Sequence, residues 1–204
     1  MRRAVILVLL ALALPMAAWA NGIDLSNQYG GISVSAAGIT STNSHLMSYA
    51  GHTASPNHSL GNITFSTGAC LTNCSNLQAG NSTFSSVGSS FVITGNGLNG
   101  IHHGTIFTGS FVGPITWTLT SCPTCKTLTY QISGTIQGML YTGRMVTGTT
   151  TQYVWSTAHQ LSLQIGHVTM GNTNLAVPEP GTLGLLGTGL VGIAGVFRRK
   201  FLTT

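Results

Sequence analysis

Acidic residues are nearly absent from this chain. Asp24 and Glu179 are its only side-chain carboxylates in 204 residues. Hydrolysis of glycosidic bonds needs two carboxyl groups facing one another across the scissile bond, and the body of this chain has one, close to its start. Positive charge is scarce too where it would matter. Five of the seven basic residues lie at the termini, as Arg2, Arg3, Arg198, Arg199 and Lys200, leaving only Lys126 and Arg144 between residues 21 and 176. The formal net charge of +5 therefore forms no stripe along which phosphates could be tracked, and no nucleic-acid partner is expected. Helical periodicity is weak, no fixed-period repeat marks a solenoid, and no nucleophile-elbow motif anchors a serine. Neither catalytic residues nor a cofactor are expected.

What is present begins at the N-terminus, "MRRAVILVLLALALPMAAWANG". Two arginines, an apolar run from Ala4 to Leu14, a proline and the small-residue pattern Ala18-Trp19-Ala20 follow in the order of a secretory signal peptide. The apolar part is about 11 residues long, too short to span a bilayer. Residues 1–20 are read as the signal peptide, with cleavage between Ala20 and Asn21.

A second apolar segment lies at the other end. Gly181–Phe197 runs for 17 residues without a charge and is followed at once by Arg198-Arg199-Lys200. As a helix it would be roughly 26 Å long, at the short end for crossing a bilayer core. Six glycines weaken it. A basic cluster beside an apolar run marks the cytoplasmic flank of a span. The expected topology has the body outside, residues 181–197 in the inner membrane and residues 198–204 inside. Just before the span stands "VPEP". Its prolines hold the backbone extended and block helix continuation, and Glu179 places a negative charge at the start of the helix, where the dipole favours it.

Motif, glycine-rich span and basic tail, in that order over residues 177–204, resemble the PEP-CTERM sorting signal of exported proteins in Gram-negative bacteria. The resemblance implies a membrane-embedded exosortase as partner, recognising Val177, Pro178, Glu179 and Pro180 and processing the chain near them. It also implies a protein delivered to the cell surface or extracellular matrix after a transient stay at the inner membrane.

Between the two signals, residues 21–176 read as one all-β domain. Stretches such as "GTIFTGSFVGPITWTLTS" and "KTLTYQISGTIQGML" alternate apolar with small polar residues and are rich in Thr, Val and Ile. Glycine-bearing breaks punctuate them at short intervals. The expected architecture is an antiparallel β-sandwich of jelly-roll type, with a strand near Ile32–Ser35 and mostly loop elsewhere in residues 21–60.

The cysteines come as Cys70 with Cys74 and Cys122 with Cys125. Export to an oxidising compartment favours disulfides, and local pairing is the expected connectivity. A four-thiolate zinc site and redox chemistry are the competing readings. The histidines fall at irregular spacings, and adjacent His102 and His103 would point to opposite faces of a strand, so no metal site is expected. Trp117 and Trp155, with Tyr130, Tyr141 and Tyr153, either pack the core or offer a glycan platform. A non-enzymatic surface or matrix protein is the expected function, and a carbohydrate-binding module acting on exopolysaccharide is the alternative. The mature protein should begin at or near Asn21, which intact-mass measurement of the exported form checks: retention of Met1 would overturn the reading of the N-terminus.

Overall fold

The computed structural model describes residues 22–121, 127–157 and 165–176. Twelve strands run through them. The first four are β1 (Gly22–Gln28), β2 (Gly31–Ser35), β3 (Gly38–Tyr49) and the two-residue β4 (His52–Thr53). Then come β5 (Gly61–Ser66), β6 (Cys70–Thr72), β7 (Asn81–Phe84) and β8 (Ser90–Asn96). The long strands are β9 (His103–Ser121), β10 (Thr127–Leu140), β11 (Met145–Thr157) and β12 (Ile165–Ala176).

The strands form because their side chains alternate. In β10, Leu128, Tyr130, Ile132, Ile136 and Leu140 are buried while Thr129, Gln131, Ser133 and Thr135 point away, the period of two that lets a strand separate a dry face from a wet one. Every pairing is antiparallel. β1 and β2 act as one interrupted strand: both lie between β12 and β3, on either side of a kink at Tyr29 and Gly30. Gly30 has φ +92°, and a Cβ there would lie 2.7 Å from the Ser44 backbone, so only glycine fits the kink.

The jelly-roll sandwich expected from the sequence is replaced by a closed barrel of eight strands. Around the ring run β1/β2, β3, β5, β8, β9, β10, β11 and β12, each beside its predecessor, until β12 pairs back onto β1 from Gly22↔Ala176 to Asn27↔Gly171. A jelly roll needs strands that cross between two sheets, whereas here every step round the ring is to the next neighbour. Residues 22–53, expected to be mostly loop, supply four strands. Their polar side chains hide this: Asn27, Ser41 and Ser44 are buried positions.

The interior is apolar at its centre. Phe91 stacks on Phe65 at 5.8 Å between ring centroids and meets Phe107 and Phe111 edge-on, with Ile39, Leu46, Ile63, Ile93, Ile136, Val154 and Leu175 around them. Burying each such side chain stabilises the fold by about 1.5–3 kcal/mol relative to exposure. The outward positions of β10 and β11 are mostly Thr, Ser and Gln, with Met139, Met145, Tyr153 and Trp155 among them, unlike the continuous apolar band of a membrane-spanning barrel. No helix among the described residues is long and apolar enough to cross a membrane. The expected span, 181–197, lies outside them.

One side of the interior is polar. Asn27 Nδ2 donates to Ser44 Oγ and to Gln152 Oε1, each at 2.7 Å. Gln152 Nε2 donates to Thr150 Oγ1 at 2.9 Å, and Thr150 shares a 2.8 Å bond with Thr173. The network sits directly over Gly171, where a Cβ would come within 2.0 Å of Gln152 Oε1 and 2.2 Å of Asn27 Oδ1. Buried polar groups are tolerated when paired and costly when orphaned. Asn27→Ala, which leaves Ser44 and Gln152 short of a partner, should destabilise the barrel by about 3 kcal/mol. Urea unfolding checks this, and an unchanged midpoint would show that the network contributes nothing.

Candidate functional site

Three neighbouring strands build a groove on the outside of the barrel. β1, β12 and β11 lie side by side, and their registers align outward residues in rows. One row is Asp24, Asn174 and Thr149; the next is Ser26, Asn172 and Thr151; the third pairs Met170 with Tyr153. A β-bulge sharpens the last row. β11 advances one residue from Tyr153 to Val154 while β12 passes from Met170 to Val168, so Thr169 and Met170 both face outward. Met170 is 50% exposed as a result.

The groove holds about 440 Å³ and is lined by Asp24, Thr149, Thr151, Tyr153, Met170, Asn172 and Asn174. Asn174 Nδ2 donates to Asp24 Oδ1, which fixes the amide with its oxygen free to accept. Thr169 Oγ1 donates to the Tyr153 carbonyl at 3.1 Å, pinning the bulge. The hydrogen-bonding surface continues onto β10, where Ser133 lies beside Thr151 with their hydroxyls 3.4 Å apart. The lining therefore presents one carboxylate acceptor, two amides and two threonine hydroxyls, closed at one end by a phenol ring and a thioether. It contains no imidazole, thiol or second carboxylate that could act with Asp24 as an acid–base pair. A smaller hollow of about 200 Å³, lined by Ala54, His58, Leu60, Leu98 and Asn99 among others, lies in the loops after β4 and β8.

Cys70 and Cys74 form a disulfide with Cα atoms 5.7 Å apart, in agreement with local pairing. Cys122 and Cys125 lie outside the described residues, in the connection between antiparallel partners β9 and β10. The signal-peptide residues Ala18, Ala20 and Asn21, the motif Val177–Pro180 and the tail Arg198, Arg199 and Lys200 also lie outside them.

The glycan platform on Trp117 does not exist. Trp117 is 0% exposed. It stacks on Tyr130 with centroids 4.3 Å apart, and its Nε1 donates to the Leu77 carbonyl at 2.8 Å. The Tyr130 hydroxyl donates to the Gln78 carbonyl at 2.9 Å. The aromatic pair thus holds down the short 3-10 turn Leu77–Ala79 that the disulfide-bonded segment leads into. Trp155 is half-buried on the outer face, two residues beyond Tyr153. Tyr141 is exposed and stacks on His102 at 4.1 Å; His45, His52, His58, His103 and His167 are exposed as well.

Of the groove residues, the sequence singles out Tyr153, as one aromatic among several, and Asp24, only as the body's lone carboxylate. The outward residues Thr149, Thr151, Asn172 and Asn174 alternate with Thr150, Gln152 and Thr173, which are equally polar but buried, so residue type does not mark which of them face outward. Nothing local shows that Asp24, 150 residues away from Asn174 along the chain, lies beside them.

The β-barrel ends where a recognisable signal begins. Residues 176–200 match the family model of the PEP-CTERM protein-sorting motif. The chain therefore carries a PEP-CTERM sorting signal, the mark of an exported protein whose processing partner is an exosortase. No curated protein and no solved structure gave a match.

Burial of Tyr130 pushes its phenol up to about 12, against an ordinary value near 10. The neutral hydroxyl is the form the fold accommodates, so this contribution to stability is complete below about pH 10 and is lost as the pH rises towards 12. Thermal melts should show a loss of stability across that window, and Tyr130→Phe should remove part of its steepness. Identical pH profiles for the two proteins would place the alkaline sensitivity elsewhere.

Proposed function

We propose that this chain is a non-enzymatic component of the cell surface or extracellular matrix. In this reading it is anchored briefly in the inner membrane through residues 181–197 and released by an exosortase acting near Val177–Pro180. The observation that carries the reading is where the sorting motif falls. β12 ends at Ala176, and the motif begins at that residue. Processing at residues 177–180 would leave all twelve strands on one side of the cut, including the strand that closes the ring. The pair Gly22↔Ala176 puts the first and last described residues of the barrel side by side.

Three features support a structural or binding role over turnover: a surface whose only acidic or basic side chains among the described residues are Asp24 and Arg144, an interior filled by side chains, and a groove without an acid–base pair. The alternative, a carbohydrate-binding module acting on exopolysaccharide, is favoured by the groove alone.

Cells with and without the exosortase, and cells producing Glu179→Ala, test the sorting reading. Both changes should leave a full-length form in the membrane fraction, while wild type yields a shorter form at the surface. Release of the same mature product in all three would make "VPEP" a plain linker.

A further inference from the structure

The geometry points to the groove on β1, β11 and β12 as a binding site for a neutral glycan chain. This deepens the surface or matrix reading and rests on it only for where the glycan would be met; the ligand class follows from the lining. Asp24 and Asn174 are hydrogen-bonded to each other and face outward as planar acceptor and donor groups. Such a pair matches vicinal hydroxyls, each of which can donate to one oxygen while accepting from an adjacent N–H. Asn172, Thr149 and Thr151 add further donors and acceptors on the two neighbouring rows. Tyr153 and Met170 close one end with an apolar surface suited to the C–H face of a sugar ring. The volume of about 440 Å³ falls within the range of small-ligand sites. The hydroxyl surface that runs on to Ser133, and from there to Gln131, which donates to Ser133 Oγ at 2.8 Å, favours a chain over a single sugar.

Charge selects within the class. No basic side chain lines the groove, so a uronate or phosphate on the ligand would be desolvated without a counter-charge. The Asp24 carboxylate would also repel it. The site therefore discriminates against acidic polysaccharides. A bound cation is not needed, since one carboxylate beside neutral amides suffices for hydroxyl recognition.

The test is affinity electrophoresis of the full-length protein in neutral detergent, through gels containing dextran, laminarin, hydroxyethylcellulose or galactomannan as neutral probes and alginate as the acidic one. At least one neutral polymer should retard the protein, and alginate should not. The double variant Asn172→Ala/Asn174→Ala and the single variant Tyr153→Ala should each weaken retardation about tenfold or more. Trp155→Phe, outside the lining, should leave it unchanged. Matching thermal melts establish that the variants are folded. Retardation by alginate alone, by none of the polymers, or equally for wild type and groove variants would overturn the proposal. Groove variants should still be sorted and processed normally in cells, which separates failure of this site from failure of the sorting reading.

Discussion

Six successive residue pairs, from Gly22 with Ala176 to Asn27 with Gly171, hold β1 against β12 and turn a meander of neighbouring strands into a ring. An open sheet of this length would present two long edges, each a row of unpaired donors and acceptors ready to join another chain; closure removes both. It also encloses the phenylalanine cluster from water. The same six pairs have two faces. Inward lie Leu25, Asn27, Gly171, Thr173 and Leu175, which contribute to the core and its polar network. Outward lie Ser26 and, in the groove's lining, Asp24, Asn172 and Asn174. Core, groove and exit point of the sorting signal all depend on one seam.

Between β5 and β8 the chain leaves the ring, and different forces hold it there. β7 pairs with the second half of β9 after β8 has taken the first half. β6 then adds a three-residue edge, clamped by the disulfide between Cys70 and Cys74. The Leu77–Ala79 turn is fixed by hydrogen bonds to its carbonyls from Trp117 and Tyr130. Two aromatic rings that would suit a ligand platform are used instead to attach this excursion to the barrel. Their burial leaves Tyr153 as the aromatic ring that lines the groove.

Charge plays almost no part in the fold. Asp24 and Arg144 are the only acidic or basic side chains among the described residues, so stability comes from apolar burial and from hydrogen bonds among neutral groups. That leaves a surface rich in hydroxyls and amides, which binds water and sugars by the same donors and acceptors, with the exposed Arg144 as the one guanidinium or ammonium among the described residues.

Much of this was legible in the order of residues. Alternation over 103–121 and 127–140 marks strands because a pleated strand turns every second side chain to the same side. The sorting signal is written entirely in local terms, as two prolines around Glu179, an apolar run and a basic end. Strands over 22–53 were harder to see, since Asn27, Ser41 and Ser44 occupy inward positions where apolar residues are the usual sign. Barrel and sandwich share one alternating pattern, and the choice between them lies in whether the first strand pairs with the last. That pairing joins residues about 150 positions apart, as does the contact between Asp24 and Asn174 in the groove. The sequence by itself therefore determined what each residue prefers locally: strand or turn, exported or retained, charged or neutral. Only the tertiary structure decided which distant strands meet, because hydrogen bonds between backbones carry no side-chain label and register is set by the packing of the whole ring.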